Sequence, residues 1–221
     1  MSQQWFDDEY VSFFKELAAN NNREWFHANK KRYEAHVKKP FHLFVEELLN
    51  KTGFDAPVKD CVFRINRDIR FSPDKRPYKS HMSAVISPVG RKNMQVPGLY
   101  VHFEVGNVMI GGGAYTPDKE NLRKIRMHLV KHAREANRLL EAPEFTEVYG
   151  GLAEGEKNKI LPKDLREYGQ DHPIIYNKQY YFMASYDDES FVTREDLLDV
   201  CFNHFKAGRA WNNFILQAIY S

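Results

Sequence analysis

A chain of 221 residues, 43% hydrophobic and 28% charged, has the make-up of a soluble globular protein with room for one well-packed domain. Its formal net charge of +2 excludes a general polyanion binder, whose affinity comes from neutralising many phosphates. No apolar run approaches the ~18 residues that a membrane span needs, and the opening MSQQWFDDEYVSFF lacks the basic start and cleavage site of a secretory signal. A cytoplasmic protein with no membrane partner is expected. Cys61 and Cys201 lie far apart and in no metal-ligand spacing, which predicts buried free thiols in a reducing compartment. The 14% aromatic share predicts a core built on Phe and Tyr.

In chain order, the first fifty residues read as helices. Asp7 or Asp8 can cap a helix whose apolar face is Tyr10, Phe13, Phe14 and Leu17. Asn20, Asn21 and Asn22 then break it, because asparagine tolerates the left-handed conformation at a helix end and caps the next helix well. A second helix carries Trp25, Phe26, Asn29, Tyr33 and Val37, and Pro40 bends or restarts it into a segment with Phe41, Phe44, Val45, Leu48 and Leu49. From Val62 the period becomes two: Phe63, Ile65, Ile69 and Phe71 alternate with Arg64, Asn66, Asp68 and Arg70. Ser80–Ser87, Leu99–Val105 and Asn107–Tyr115 continue an antiparallel meander with turns at Pro88–Arg91 and Gly106. The Gly111-Gly112-Gly113 run packs no side chains, which predicts a bulge or the close approach of another group.

Thr116-Pro117-Asp118 reads as a helix start, with a hydroxyl cap, proline at the first helical position and acid in the first turn. That helix runs through Leu122, Ile125, Leu129, Ala133 and Ala136 towards Leu140. Glu154–Asp171 reads as a long loop, of the kind often functional in compact domains. A strand near Tyr180–Ser185 and two helices, after Thr193 and near Arg209, complete the chain. The implied fold class is α+β, a single domain over residues 1–221 in which N- and C-terminal helices pack a curved antiparallel sheet.

The segment Val62–His81 holds Arg64, Arg67, Arg70, Lys75, Arg76 and Lys79 against only two acids, Asp68 and Asp74. In an otherwise nearly balanced chain, such an excess calls for an anion. It is either a ligand or a set of the protein's own carboxylates, such as Glu24, Glu34 or Asp171. Guanidinium groups suit forked contacts with carboxylate or phosphate. Lys75 and Lys79 add point charges, and Tyr78 and His81 can donate hydrogen bonds. His102 and Glu104 alternate onto one strand face, where with His81 or His172 they could bind a metal or exchange protons. Two ligand types at one spacing are a weak signal against an ordinary solvated face, so no metal ligand is assigned. Asp171-His172-Pro173 sets an acid and an imidazole beside a rigid residue, or is a turn in which Asp171 caps the segment after Pro173. Trp25 and Phe26 read as core rather than as a stacking platform.

NNREWF at Asn21–Phe26 with Asn29 and Tyr33, RINRDIRFSPDKRPYK at Arg64–Lys79, PGLY at Pro97–Tyr100, GGGAYTP at Gly111–Pro117 and DHP at Asp171–Pro173 together resemble the domain-of-unknown-function 2461 family. The resemblance spans nearly the whole chain. It implies a single-domain, cytosolic protein and carries over no catalytic residue, cofactor or oligomeric state. One departure is local: Pro162-Lys163-Asp164-Leu165 lacks the glycine of the family's Pro-x-Gly-aromatic step, so this loop is expected to bend differently.

The functional reading is a site for a small anionic ligand, phosphorylated or carboxylated. Arg64, Arg67, Arg70, Lys75, Lys79, Tyr78 and Asp171 would hold it, and His81, Glu104 or His172 would exchange protons. The alternative is a nucleic-acid or protein-binding module using the same basic patch, with exposed aromatics stacking on bases. A concave pocket would favour the first and an open basic strip the second.

Overall fold

A computed structural model describes residues 3–221. Its strands are β1 (His81–Ile86), β2 (Leu99–Glu104), β3 (Asn107–Ala114) and β4 (Tyr180–Tyr186), and they form an open antiparallel sheet in the order β1-β2-β3-β4. With helices at both termini, the fold is α+β. The chain divides into two compact units. The first comprises Met1–Lys92, Tyr100–Ile110 and Ser185–Asn203, and the second Asn93–Leu99, Gly111–Ala184 and His204–Ser221. Among the described residues, no helix is long and apolar enough to cross a membrane.

In the first unit, α1 (Asp8–Ala19) starts where Asp7 Oδ1 accepts the Tyr10 N–H at 3.1 Å. Its buried face is Tyr10, Phe13, Phe14 and Leu17, the residues at helical spacing. Asn22 caps α2 (Arg23–Ala28) by accepting the Trp25 N–H at 2.9 Å, and α3 (Lys30–Tyr33) comes directly after it. Pro40 does not break the helical run. A single π turn over Glu34–Lys38 leads straight into α4 (Lys39–Thr52), with the proline in its first turn. Proline has no N–H and its ring crowds the carbonyl four residues back, so a wider turn just before it relieves both problems. A one-turn helix, α5 (Val58–Cys61), precedes the basic segment. The core here is aromatic: Phe6, Tyr10, Phe13, Phe41, Phe44 and Phe103 are fully buried. The Tyr10 hydroxyl, sealed among them, donates to the Phe103 carbonyl at 2.8 Å.

The basic segment is not a continuous strand. Val62 bridges Ala84, and Asn66 bridges Tyr78, as isolated pairs. Backbone bonds from Arg67 N–H to the Pro77 carbonyl and from Lys79 N–H to the Ile65 carbonyl, both 2.9 Å, hold the segment as an irregular hairpin. Two prolines, Pro73 and Pro77, supply no N–H to a ladder, which accounts for its interruption.

In the second unit, α6 (Lys119–Lys131) is capped by Asp118, which accepts the Asn121 N–H at 2.8 Å, and not by Thr116. The expected long helix is interrupted at His132, beyond which lie α7 (Ala133–Leu140) and α8 (Pro143–Tyr149). The stretch expected as a loop is largely irregular, with a 3-10 turn at Lys163–Tyr168. Where two C-terminal helices were expected there is one, α9 (Leu197–Tyr220), running unbroken through Gly208. A Cβ on Gly208 would lie 2.3 Å from Cζ of Phe182, so this glycine makes room for a ring instead of ending a helix. Phe182 joins Tyr180, Ile125, Leu129, Phe145, Trp211 and Phe214 in the core of this unit.

Cys61 and Cys201 are free and buried. Burial, with Asp60 adding, raises the Cys61 thiol, and burial raises Cys201 still further. Neither thiol is therefore expected to react with a disulfide reagent at pH 8 until guanidinium unfolds the chain, when two react. Fast labelling of the native protein would contradict this packing.

Candidate functional site

The structure sorts the basic segment into two sets. Arg70 and Arg76 each fold back on the aspartate two residues before them. Arg70 Nη2 lies 2.6 Å from Asp68, and Arg76 Nη2 lies 2.7 Å from Asp74. Arg67 joins the second pair through Nη1 to Asp74, and Lys75 Nζ donates to the Ile69 carbonyl at 3.1 Å. Two aspartates thus pair with three arginines, leaving one net positive charge, and among the described residues none of Glu24, Glu34 or Asp171 takes part. The Arg70 fork, with its backbone N–H, holds the Asp68 carboxyl down to about 2, and Arg76 with Arg67 pushes Asp74 lower still. Removing the fork by Arg70→Ala should return the Asp68 midpoint to within about one unit of the usual 3.9. Carbon-detected titration reads this directly, and an unmoved midpoint would show that the fork does not exist in solution.

The second set is Arg64, Lys79 and Arg91. Among the described residues none of the three has a carboxylate within ion-pair distance. Arg64 is felt by Asp68, but that carboxylate is already forked by Arg70. Asp60, which feels Arg91, is paired with Lys92 at 2.7 Å. Arg91 Nε donates to the Val62 carbonyl at 2.9 Å, and Lys79 Nζ lies 5.2 Å from the centre of the Phe63 ring. Lys79 is half-buried, and that burial, followed by repulsion from Arg64 and Arg91, lowers its pKa. Arg91 stands in a 3-10 turn after β1 and reads in sequence only as a turn residue, so the sequence gives no signal for its place here.

His81 opens β1 two residues after Lys79. Its ring lies over that of His102 on β2, with centroids 3.8 Å apart. His102 is buried, not on a solvated face as expected. Its Nδ1 meets the Tyr100 hydroxyl at 3.1 Å and its Nε2 lies 3.4 Å from Glu104 Oε2. Glu104 also accepts from the Ser80 hydroxyl, and from Asn107 Nδ2 at 2.9 Å. These bonds, His102 first, hold the Glu104 carboxyl down to about 2 although burial opposes them. Burial drives the His81 imidazole down to about 3, with His102 and Lys79 adding and Glu104 opposing. At neutral pH the group is therefore a carboxylate and an uncharged His81 ring near the half-buried Lys79.

The remaining expected site residues lie elsewhere. Tyr78 is buried and stacks on Phe26 at 4.0 Å, while its backbone is clasped by the Asn21 side-chain amide. It is a core residue, as are Phe26 and most of Trp25, whose ring packs 5.5 Å from Phe13. Asp171 and His172 belong to the second unit, where Asp171 is exposed and His172, not Asp171, occupies the position before the 3-10 turn Pro173–Tyr176.

The model of the conserved hypothetical protein family DUF2461 matches residues 9–214, and the chain belongs to that family. No curated protein and no solved structure matches the chain.

Proposed function

We propose that this protein binds a small anionic ligand, phosphorylated or carboxylated, between Arg64, Lys79 and Arg91, beside His81 and Glu104. One observation carries the reading: the half-buried Lys79 is repelled by Arg64 and Arg91, and among the described residues none of the three makes an ion pair, whereas Arg67, Arg70 and Arg76 all do. Repulsion at a half-buried ammonium is costly, and an anion beside Lys79 removes that cost. Arg67 and Arg70 drop out of the ligand set in this reading, because Asp74 and Asp68 already occupy them. His81 lies near Lys79, and with Glu104 beside it would handle any proton exchanged with the ligand.

Thermal unfolding at low ionic strength tests this with inorganic phosphate and a four-carbon dicarboxylate. At ten times its Kd either anion should raise the wild-type midpoint by roughly 3–6 °C. Lys79→Met and Arg64→Met should abolish the shift, and Arg70→Met should leave it. Stabilisation by neither anion, or equal loss in all three variants, would dismiss the reading.

One feature favours a second reading. Phe71 is 94% exposed at the tip of the basic hairpin, between the solvent-facing Arg70 and Lys75. An exposed aromatic among cations is a stacking platform for a single-stranded nucleic acid. Phe71→Ala should then weaken binding of a labelled oligonucleotide about tenfold by anisotropy. No binding at low salt removes this alternative.

A further inference from the structure

The geometry points to a binding site for one divalent transition-metal ion, zinc by its donor set, formed by His81, His102 and Glu104. One ligand nitrogen from each histidine and one carboxylate oxygen all lie within 4.8 Å of one another. The His102 Nε2 to Glu104 Oε2 separation is 3.4 Å. Two ligands bound at ~2.1 Å on tetrahedral directions stand ~3.4 Å apart, so this pair already has the bite of one ion. The His81 ring lies over that of His102 at 3.8 Å, so His81 would turn about its side-chain torsions to bring a lone pair onto the same ion.

The surroundings are those of a metal site as well. His102 Nδ1 faces the Tyr100 hydroxyl; with an ion in place of the proton on Nε2, Nδ1–H would donate to that oxygen, a second partner of the kind that orients metal-bound histidines. Glu104 is held from two sides, by Ser80 and Asn107, so that its carboxylate is aimed before an ion arrives. Among the described residues His81 makes no hydrogen bond that would compete for its lone pairs, and it is only partly covered, giving an entry side. Both imidazole donors are borderline ligands and the carboxylate is hard, a mixture that suits zinc and its first-row neighbours more than calcium or magnesium. Three protein ligands leave at least one position for water or an exogenous ligand, as in catalytic rather than structural zinc sites.

A rival pair exists in His128 and His132, one turn apart with ring centroids at 4.4 Å, but no carboxylate joins them in a three-ligand group among the described residues. The metal site shares His81 and Glu104 with the anion reading but uses none of its cations Arg64, Lys79 and Arg91.

The test uses the full chain stripped with a chelator and titrated with Zn²⁺ by calorimetry, and with Co²⁺ by its visible ligand-field bands. One equivalent of each should bind the wild-type protein, with Co²⁺ bands of a four- or five-coordinate nitrogen–oxygen site. His81→Ala and Glu104→Gln should each weaken binding at least a hundredfold and erase those bands, while far-UV circular dichroism stays unchanged. These two variants carry the test because His102 is buried and its loss can disturb the sheet. The thermal shift produced by inorganic phosphate on the same chelator-stripped protein is measured beside the titration, so that loss of one response with the other retained separates a failure here from a failure of the anion reading. No stoichiometric binding, or binding unaltered by either ligand substitution, overturns the site.

Discussion

Alanine at Gly111 should destabilise the protein by about 3 kcal/mol or more, among the largest effects of any single methyl group in the chain. A Cβ there would sit 2.2 Å from the Phe182 carbonyl oxygen and 2.7 Å from the sulfur of Met183. The first neighbour is backbone of β4, which cannot move without breaking its own pairing to β3. Gly53→Ala is the contrast: it places its methyl in open space, and only its φ of 74° costs anything, about 1 kcal/mol. Urea unfolding of the two variants checks the difference. Equal midpoints would mean that the strands do not approach so closely.

Phe103→Ala should cost about 3–5 kcal/mol, the usual range for a fully buried aromatic. The ring is 0% exposed and packs edge-on against Phe6, Phe41 and Phe44, with centroids 5.2–5.7 Å away. Its carbonyl also takes the Tyr10 hydroxyl bond. At 2–4 °C per kcal/mol for a chain of this size, the melting midpoint should fall by roughly 6–20 °C. Phe103→Leu, which keeps most of the volume, should lose less than half of that. Phe103 stands between His102 and Glu104 on β2, so its packing also fixes the strand that presents them. A melting midpoint lowered by only a degree or two in Phe103→Ala would mean that the aromatic cluster is not the core of this unit.

Much of this is legible in the residues. The faces of α1 and α4 follow from apolar spacing, and β2 and β3 from alternation on either side of a Gly106 turn. Local signals fail where tertiary contacts decide. Pro40 sits within a helical run because a π turn absorbs it, and Gly208 sits within α9 because Phe182 needs its space. In the basic segment the excess of six cations over two acids is plain, but which cations are paired is not: forks from Arg70 to Asp68 and from Arg76 to Asp74 span only two residues, and Arg67 shares the second aspartate. The closeness of His81 to His102 and Glu104 depends on the pairing of β1 with β2, which no one-dimensional pattern encodes. Arg91 enters the cationic group by the same kind of long-range placement.

Crystals soaked in tungstate offer the sharpest trial of the anion site. An anomalous peak within hydrogen-bonding reach of Arg64, Lys79 and Arg91 is the expected result, with nothing at the forked Arg70 and Arg76. Density at the forked arginines alone, or guanidinium and ammonium groups of the first three found paired with carboxylates, would contradict the account.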